Sequence, residues 1–325
     1  MPNTPAMPSS GRLSGLRRRR RERRRRRAAR DWADGLPADV LLAILHRLDH
    51  IDILMSADRV CRSWQRAARE EPSLWRRITM RGHEGIARKI NRCGMACEAV
   101  RRAAGQCEAF CGKYAGDDGF LIYLSVQCPC LRSLCLISCN DVTDEGFAEV
   151  VQALPLLEEL ELSRCRNIGA DGVYELAGEV CPQLKHFRLN KQSFKNTDNN
   201  MDKDALGIAS MHGLHSLQLF SNVISNKGIE TILDNCLHLE YLDIRYCFNV
   251  DMNETLLAKC TKIKTIKLSD DPIDDYDLQA ESPGMTVQSP VRTYDYAWSH
   301  LCCFQGHNDF YFRHYYDISY PPLLR

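Results

Sequence analysis

The chain has 325 residues, 26% of them charged, and its Lys and Arg outnumber its Asp and Glu by only one. No apolar run of about 18 residues occurs and the N-terminus lacks a signal-peptide core, so neither a membrane span nor secretion is expected. The near-neutral balance conceals a division: residues 1–30 hold 12 arginines against one acid, Glu22, whereas the other 295 carry 31 basic and 41 acidic residues.

The basic stretch, LRRRRRERRRRRAAR (16–30), has like charges side by side and no apolar face, which predicts disorder. Nuclear import, attraction to nucleic acid and a merely solvated leader are the readings it leaves open. Sixteen cysteines in a chain this long, without a signal segment, read as reduced thiols rather than as a disulfide framework.

From Leu36 the sequence runs LPADVLLAILHRLDHIDILMSADRVCRSWQRAAREEPSLW. Pro37 suits a first helical position, where its missing N–H costs nothing, and Asp39 follows where the helix dipole favours an acid. Val40, Leu41, Ile44, Leu45 and Leu48 recur at helical spacing. Asp52 caps a second predicted helix carrying Ile53, Ala57, Val60 and Trp64, and Pro72 opens a short third with Leu74 and Trp75. Three helices in about 40 residues bury little by themselves, so the module needs a neighbour. The order LP, D-x-L, I-L, D-I-L, V-C-R-x-W and P-x-L-W resembles the F-box along its full length. That resemblance implies docking on a small Skp-type adaptor, and through it on the cullin and RING subunit of an SCF ubiquitin ligase. Carried over by position, Leu36, Pro37, Ile44, Leu45, Leu48, Ile53, Val60 and Trp64 are expected to form the adaptor surface and its support.

Farther on, LRSLCLISC (131–139), LEELELSRC (157–165), LKHFRLNKQ (184–192), LHSLQLFSN (214–222), LEYLDIRYC (239–247) and IKTIKLSDD (263–271) align without gaps. Their starts are 26, 27, 30, 25 and 24 residues apart, the spacing of a leucine-rich repeat. Each short strand turns its leucines inward, where only neighbouring repeats can bury them. The ninth place, held by Cys139, Cys165, Asn222 and Cys247, must be small and able to satisfy buried backbone groups. Segments 116–128, 143–154, 169–180 and 225–236 read as return helices, which puts an irregular first repeat near Gln106. The expected organisation is a tail (1–30), an F-box (31–78), a linker with the irregular repeat (79–112), the repeats (113–272) and an acidic, aromatic tail (273–325).

Strand alternation turns Cys135 onto the inner curved surface and away from Cys139, so the two do not face each other as a metal or disulfide pair would require. Cys128, Cys181, Cys236 and Cys260 recur at helix ends. CGMAC (93–97), CEAFC (107–111) and the tail's Cys302, Cys303, His307 and His314 depart from tight zinc knuckles, and no metal or cofactor is expected. The concave face mixes Glu159, Glu161 and Asp243 with Arg188, Arg245 and Lys267, which argues against a nucleic-acid groove. Aromatics and arginine dominate binding hot spots, so Arg188, Phe220, Tyr241, Arg245 and Tyr246 are expected to hold a protein substrate. After Pro272 the leucine pattern stops. IDDYD (273–277) is acidic and residues 294–320 hold ten aromatics, a stretch suited to covering the solenoid's open end or to meeting a partner.

Residues 36–277 together resemble the small plant F-box/LRR-repeat proteins. The fold implied is α/β: an N-terminal three-helix F-box followed by a short leucine-rich-repeat solenoid of parallel strands and return helices. The function implied is substrate recognition for ubiquitination by a non-catalytic chain, and the expected location is nucleus and cytoplasm. No P-loop, GxSxG or paired CxxC knuckles of a RING occur in the sequence. A nuclear or nucleic-acid-associated scaffold acting outside a ligase is the alternative.

Overall fold

The computed structural model describes residues 35–82, 90–169, 172–191 and 202–278. The arginine tract and the aromatic stretch with Cys302, Cys303, His307 and His314 lie outside the described residues. The chain begins with α1 (Ala38–Leu45), α2 (His50–Met55) and α3 (Arg62–Glu70), and 3₁₀ turns occupy Ala57–Arg59 and Pro72–Trp75. The second helix is therefore divided, where the sequence pattern ran it unbroken past Trp64. Asp49, not Asp52, caps it: the Asp49 carboxylate accepts the Ile51 N–H at 2.8 Å, and also the backbone N–H groups of Arg81 and Gly82. The early start exhausts the helix at Met55, and the following 3₁₀ turn brings Asp58 inward, where it meets Arg102.

Beyond the helices, eight parallel strands pair in chain order. They are β1 (Arg77–Met80), β2 (Ala109–Lys113), β3 (Ser133–Ile137), β4 (Glu159–Ser163), β5 (His186–Asn190), β6 (Ser216–Phe220), β7 (Tyr241–Asp243) and β8 (Thr265–Lys267). Among the described residues, seven helices return the chain between them: α4 (Arg92–Arg102), α5 (Asp118–Gln127), α6 (Asp144–Gln152), α7 (Val173–Val180), α8 (Lys203–Ala209), α9 (Asn226–Asn235) and α10 (Glu254–Lys259). One core of leucines, aromatics and cysteines runs between the sheet and the helices.

Strands β1 and β2 precede the six that the leucines mark. The register sets Ile78 beside Phe110 and Phe110 beside Leu134. It thereby assigns Trp75, Ile78 and Met80, and then Cys107, Phe110, Gly112 and Ala115, to the apolar places of the repeat. These residues are buried. Of the stretch 79–112, expected to hold a linker and an irregular first repeat, Met80 ends one strand of the sheet and residues 107–112 carry the apolar places of the next repeat, and Trp75 belongs at once to the F-box and to the first repeat.

Six of the repeats turn their corner at the eighth place through a left-handed residue. Gly82, Tyr114, Ser138, Arg164, Ser221 and Tyr246 have φ between 49° and 63° there. For a residue with a Cβ this costs about 1–2 kcal/mol. A bond to the next repeat offsets it: Tyr114 N–H donates to the Ile137 carbonyl at 2.9 Å, and Ser138 N–H to that of Ser163 at 2.8 Å. The ninth-place side chains donate backwards, Asn222 Nδ2 to the Leu189 carbonyl at 3.1 Å and Cys165 Sγ to that of Leu136 at 3.4 Å. On the helical side, Asp118 accepts the Thr143 N–H and hydroxyl at 2.8 and 2.9 Å, and Asp202 does the same for Ser225.

The joint between F-box and solenoid is polar as well as apolar. Arg102 of α4 reaches Asp58 at 2.7 Å and lies over the Trp75 ring, whose Nε1 donates to the Ala68 carbonyl. His50 is buried beside Trp75, its Nδ1 accepting the Thr79 N–H at 3.1 Å and its Nε2 donating to the Leu74 carbonyl at 3.0 Å. Burial holds the imidazole pKa below its ordinary 6.5. Above pH 6.5 the ring is neutral in folded and unfolded chains alike. Below that value the unfolded chain takes up a proton that the folded chain resists. Stability therefore falls with decreasing pH, by up to about 1.4 kcal/mol per unit. Urea midpoints measured between pH 7.5 and 5 should drop more steeply for the wild type than for His50→Gln, and parallel curves would contradict this.

Candidate protein-interaction surfaces

On the F-box, Pro37 and Val60 are exposed, the latter at 46%, and Val40, outside the expected set, is 42% exposed. Leu36, Ile44, Leu48 and Trp64 are half-buried. Leu45 and Ile53 are fully buried and act behind the surface, supporting it from the core. The Trp64 indole N–H is buried with no hydrogen-bond partner. An apolar set of this kind, open to solvent and carrying an unmet donor, is an incomplete surface.

The parallel register lays the concave face out in rows. One row runs Cys135, Glu161, Arg188, Gln218, Asp243, Lys267, and another runs Ile137, Ser163, Asn190, Phe220. Within the first, Arg188 faces Glu161 at 3.5 Å and Gln218 Nε2 donates to Asp243 at 2.7 Å. Arg245 follows β7 and clasps Asp243 at 2.8 Å. Cys135 does face the concave side, but it is covered, with its Sγ 2.8 Å from the Sγ of Cys111 on β2. Among the described residues, no group of three or more His, Cys, Asp or Glu side chains is placed to hold a metal ion.

The five residues expected to hold substrate are not equally open. Phe220 is 2% and Arg245 1% exposed, because the chain's own residues 272–278 lie over them. The Tyr276 ring stacks on Phe220 at 3.7 Å between centroids, and Tyr246 stacks on the Phe220 ring at 5.1 Å. Asn190 Nδ2 donates to the Tyr276 hydroxyl at 2.5 Å, and the Arg188 guanidinium sits 4.9 Å from the ring. Asp275 pairs with Arg245 and Lys267. Asp277 bridges Arg188 at 2.5 Å and Arg81 at 2.7 Å. Leu278 then packs with Cys135 and Ile137. Tyr241 lies to one side, half-buried, with Lys267 over its ring. The start of the acidic segment thus crosses the concave face, a course that neither of the sequence-based expectations, an end cap or a partner motif, specified.

The charges there are strongly settled. Lys267 and Arg245 hold the Asp275 carboxyl down to about 2. Partial burial alone would raise Asp277, yet Arg188 and Arg81 outweigh it and hold that carboxyl also at about 2. Burial pushes the Tyr276 phenol up to about 12, so it stays neutral and able to accept from Asn190.

Comparison with known proteins places the molecule. The F-box-like family profile matches residues 33–81, and a Leucine Rich repeat profile matches 153–177 and 211–233. The F-box protein SKIP19 of Arabidopsis thaliana is 37% identical over 290 residues, 88% of this chain and 89% of that protein. Putative F-box/LRR-repeat protein 22 of the same plant is 38% identical, over 79% of this chain and 83% of its own length. The chain is an F-box/LRR-repeat protein. Putative F-box/LRR-repeat protein 23, at 36% identity, matches 83% of this chain, which spans 60% of that longer relative.

The F-box/LRR-repeat protein brings some of the residues expected to bind substrate together and leaves Tyr241 to one side. Arg188, Phe220, Arg245 and Tyr246 do come together with aromatic and cationic neighbours. Arg81, Asn190, Tyr276, Asp277 and Leu278 were missed as parts of the same cluster. A signal for them existed in two acids flanking a tyrosine, which match the cations of the concave rows.

Proposed function

We propose that this F-box/LRR-repeat protein is the substrate-recognition subunit of an SCF-type E3 ubiquitin ligase. Its F-box docks a Skp-type adaptor, the cullin and RING subunits join through that adaptor, and the concave face of the repeats recruits a protein substrate in the nucleus and cytoplasm. The chain supplies position and no catalytic group, and ubiquitin transfer belongs to its partners. The observation that carries this reading is the open apolar set on the F-box. Pro37, Val40 and Val60 face solvent with half-buried Ile44, Leu48 and Trp64 beside them, as suits an adaptor that completes their burial. Pull-down by a purified Skp-type adaptor tests it, comparing wild type with Pro37→Ala/Val60→Asp, both at exposed sites. Wild type is retained and the double variant loses at least about tenfold in affinity. A well-folded wild type that binds no adaptor would sink the reading.

A further inference from the structure

Four cations, Arg81, Arg188, Arg245 and Lys267, approach one another across the concave face although they come from four different strands or corners. Glu161 and Asp243, both on the sheet, answer Arg188 and Arg245. The remaining balance is supplied by Asp275 and Asp277, which belong to no repeat, strand or helix. Residues 275–278 therefore meet the groove as a bound peptide would, each through its own kind of contact. Asp275 sits in a two-cation clamp, Tyr276 in an aromatic slot with Asn190 on its hydroxyl, Asp277 in a second clamp, and Leu278 on the apolar floor of Cys135 and Ile137.

The segment's hold has an exchangeable character. Both aspartates are exposed, and ion pairs that face water add little net affinity. The half-buried Tyr276 and the buried Leu278 are then the principal contacts, and any peptide with the same two side chains at the same spacing supplies them equally. The occupant is also imperfect, for the Arg188 Nε hydrogen is buried beneath it with no partner. Solenoids hold extended partners on this face. A tethered segment resists a free competitor chiefly through its high effective concentration.

We infer that the groove is a recognition site for an extended peptide of the pattern acid–aromatic–acid–aliphatic, and that Asp275–Leu278 is an internal copy of that ligand which a partner must displace. This rests on the proposed function only in taking the displacing partner to be a recruited substrate. The experiment uses the full-length chain and a fluorescein-labelled synthetic peptide, PIDDYDL, copied from residues 272–278. Anisotropy should show the peptide binding Tyr276→Ala/Asp277→Ala at least about tenfold more tightly than wild type, as expected when an internal competitor is removed. Adding Arg188→Glu should abolish that gain, and a scrambled peptide should not bind. No binding to a double variant that melts like the wild type would overturn the inference, and so would equal binding to both chains that ignores Arg188→Glu. Should the double variant not fold, hydrogen exchange of the wild type decides. Excess unlabelled peptide must speed exchange at residues 273–278, and unchanged exchange overturns the inference. Adaptor capture measured on the same proteins keeps the two readings apart. Loss of adaptor binding with retained peptide binding removes the ligase role and leaves the groove, and the reverse removes the groove alone.

Discussion

Arg102→Met is expected to lower the unfolding free energy by about 3–5 kcal/mol, the usual cost of breaking a buried ion pair from one side. The Arg102 guanidinium is buried at the centre of the joint, bonded to Asp58 at 2.7 Å, Glu98 at 2.7 Å and the Ala68 carbonyl at 3.3 Å, with the Trp75 ring beneath it. Methionine fills a similar volume but strands Asp58, which is itself buried. A second cation near Asp58, Arg69, has its Nε 3.8 Å from the carboxylate, too far for a hydrogen bond. Denaturation followed by tryptophan fluorescence measures the loss. Adding Asp58→Asn should recover part of it, because the stranded charge is then gone. A single variant within about 1 kcal/mol of wild type would show that the buried charge finds water instead.

Gly146→Ala is expected to destabilise the protein by about 2–4 kcal/mol, although alanine is the better helix former by about 1 kcal/mol. A Cβ at Gly146 would lie 2.1 Å from the Asp118 carboxylate. Asp118 must then withdraw from the Thr143 N–H and hydroxyl, and bonds to a charged group are each worth about 1.5–3 kcal/mol. Gly228 stands in the same relation to Asp202 and Ser225, so the clasp recurs three repeats on. A thermal melt of Gly146→Ala reads the sign directly, and a melting temperature at or above that of the wild type would refute the clasp as a stabilising element.

Six of the eight strands were legible because leucine at fixed spacing has one explanation, burial between stacked repeats. Of the other two, the second was foreshadowed only as an irregular repeat near Gln106, and the first was not seen. Trp75, Met80, Cys107, Gly112 and Ala115 fill the same inward places with other side chains, and no short template covers that variety. Physical reasoning about the ninth place did survive, since Asn222 and Cys165 donate to the previous repeat's carbonyls as a buried small polar group must. The concave cluster was readable as composition, from the coincidence of arginines and aromatics on and beside the strands. That part of it lies covered was not readable. The covering segment has no periodicity, and its contact with Arg81 spans 196 residues of sequence, a distance over which local pattern carries no information. Likewise, the division of the second F-box helix depends on Asp49 reaching the backbone of Arg81 and Gly82, a tertiary contact that no helical spacing announces.

The edge of the sheet at β1 has a consequence for how the molecule can be dissected. A bare outer strand offers unpaired backbone groups to any passing chain. Here donors at the C-terminal end of β1 and just beyond it are taken: Thr79 N–H by the His50 ring, and Arg81 and Gly82 N–H by the Asp49 carboxylate. The F-box is thus the plug of the solenoid's first end, and the two halves share Trp75 with no hinge between them. A truncated chain lacking the F-box would lose that plug and the first inward tryptophan together. It would present a sticky edge and an opened core, and its failure in any assay would say nothing about adaptor contact. Single changes at solvent-facing Pro37 or Val60 leave the plug in place, and they alone separate docking from folding.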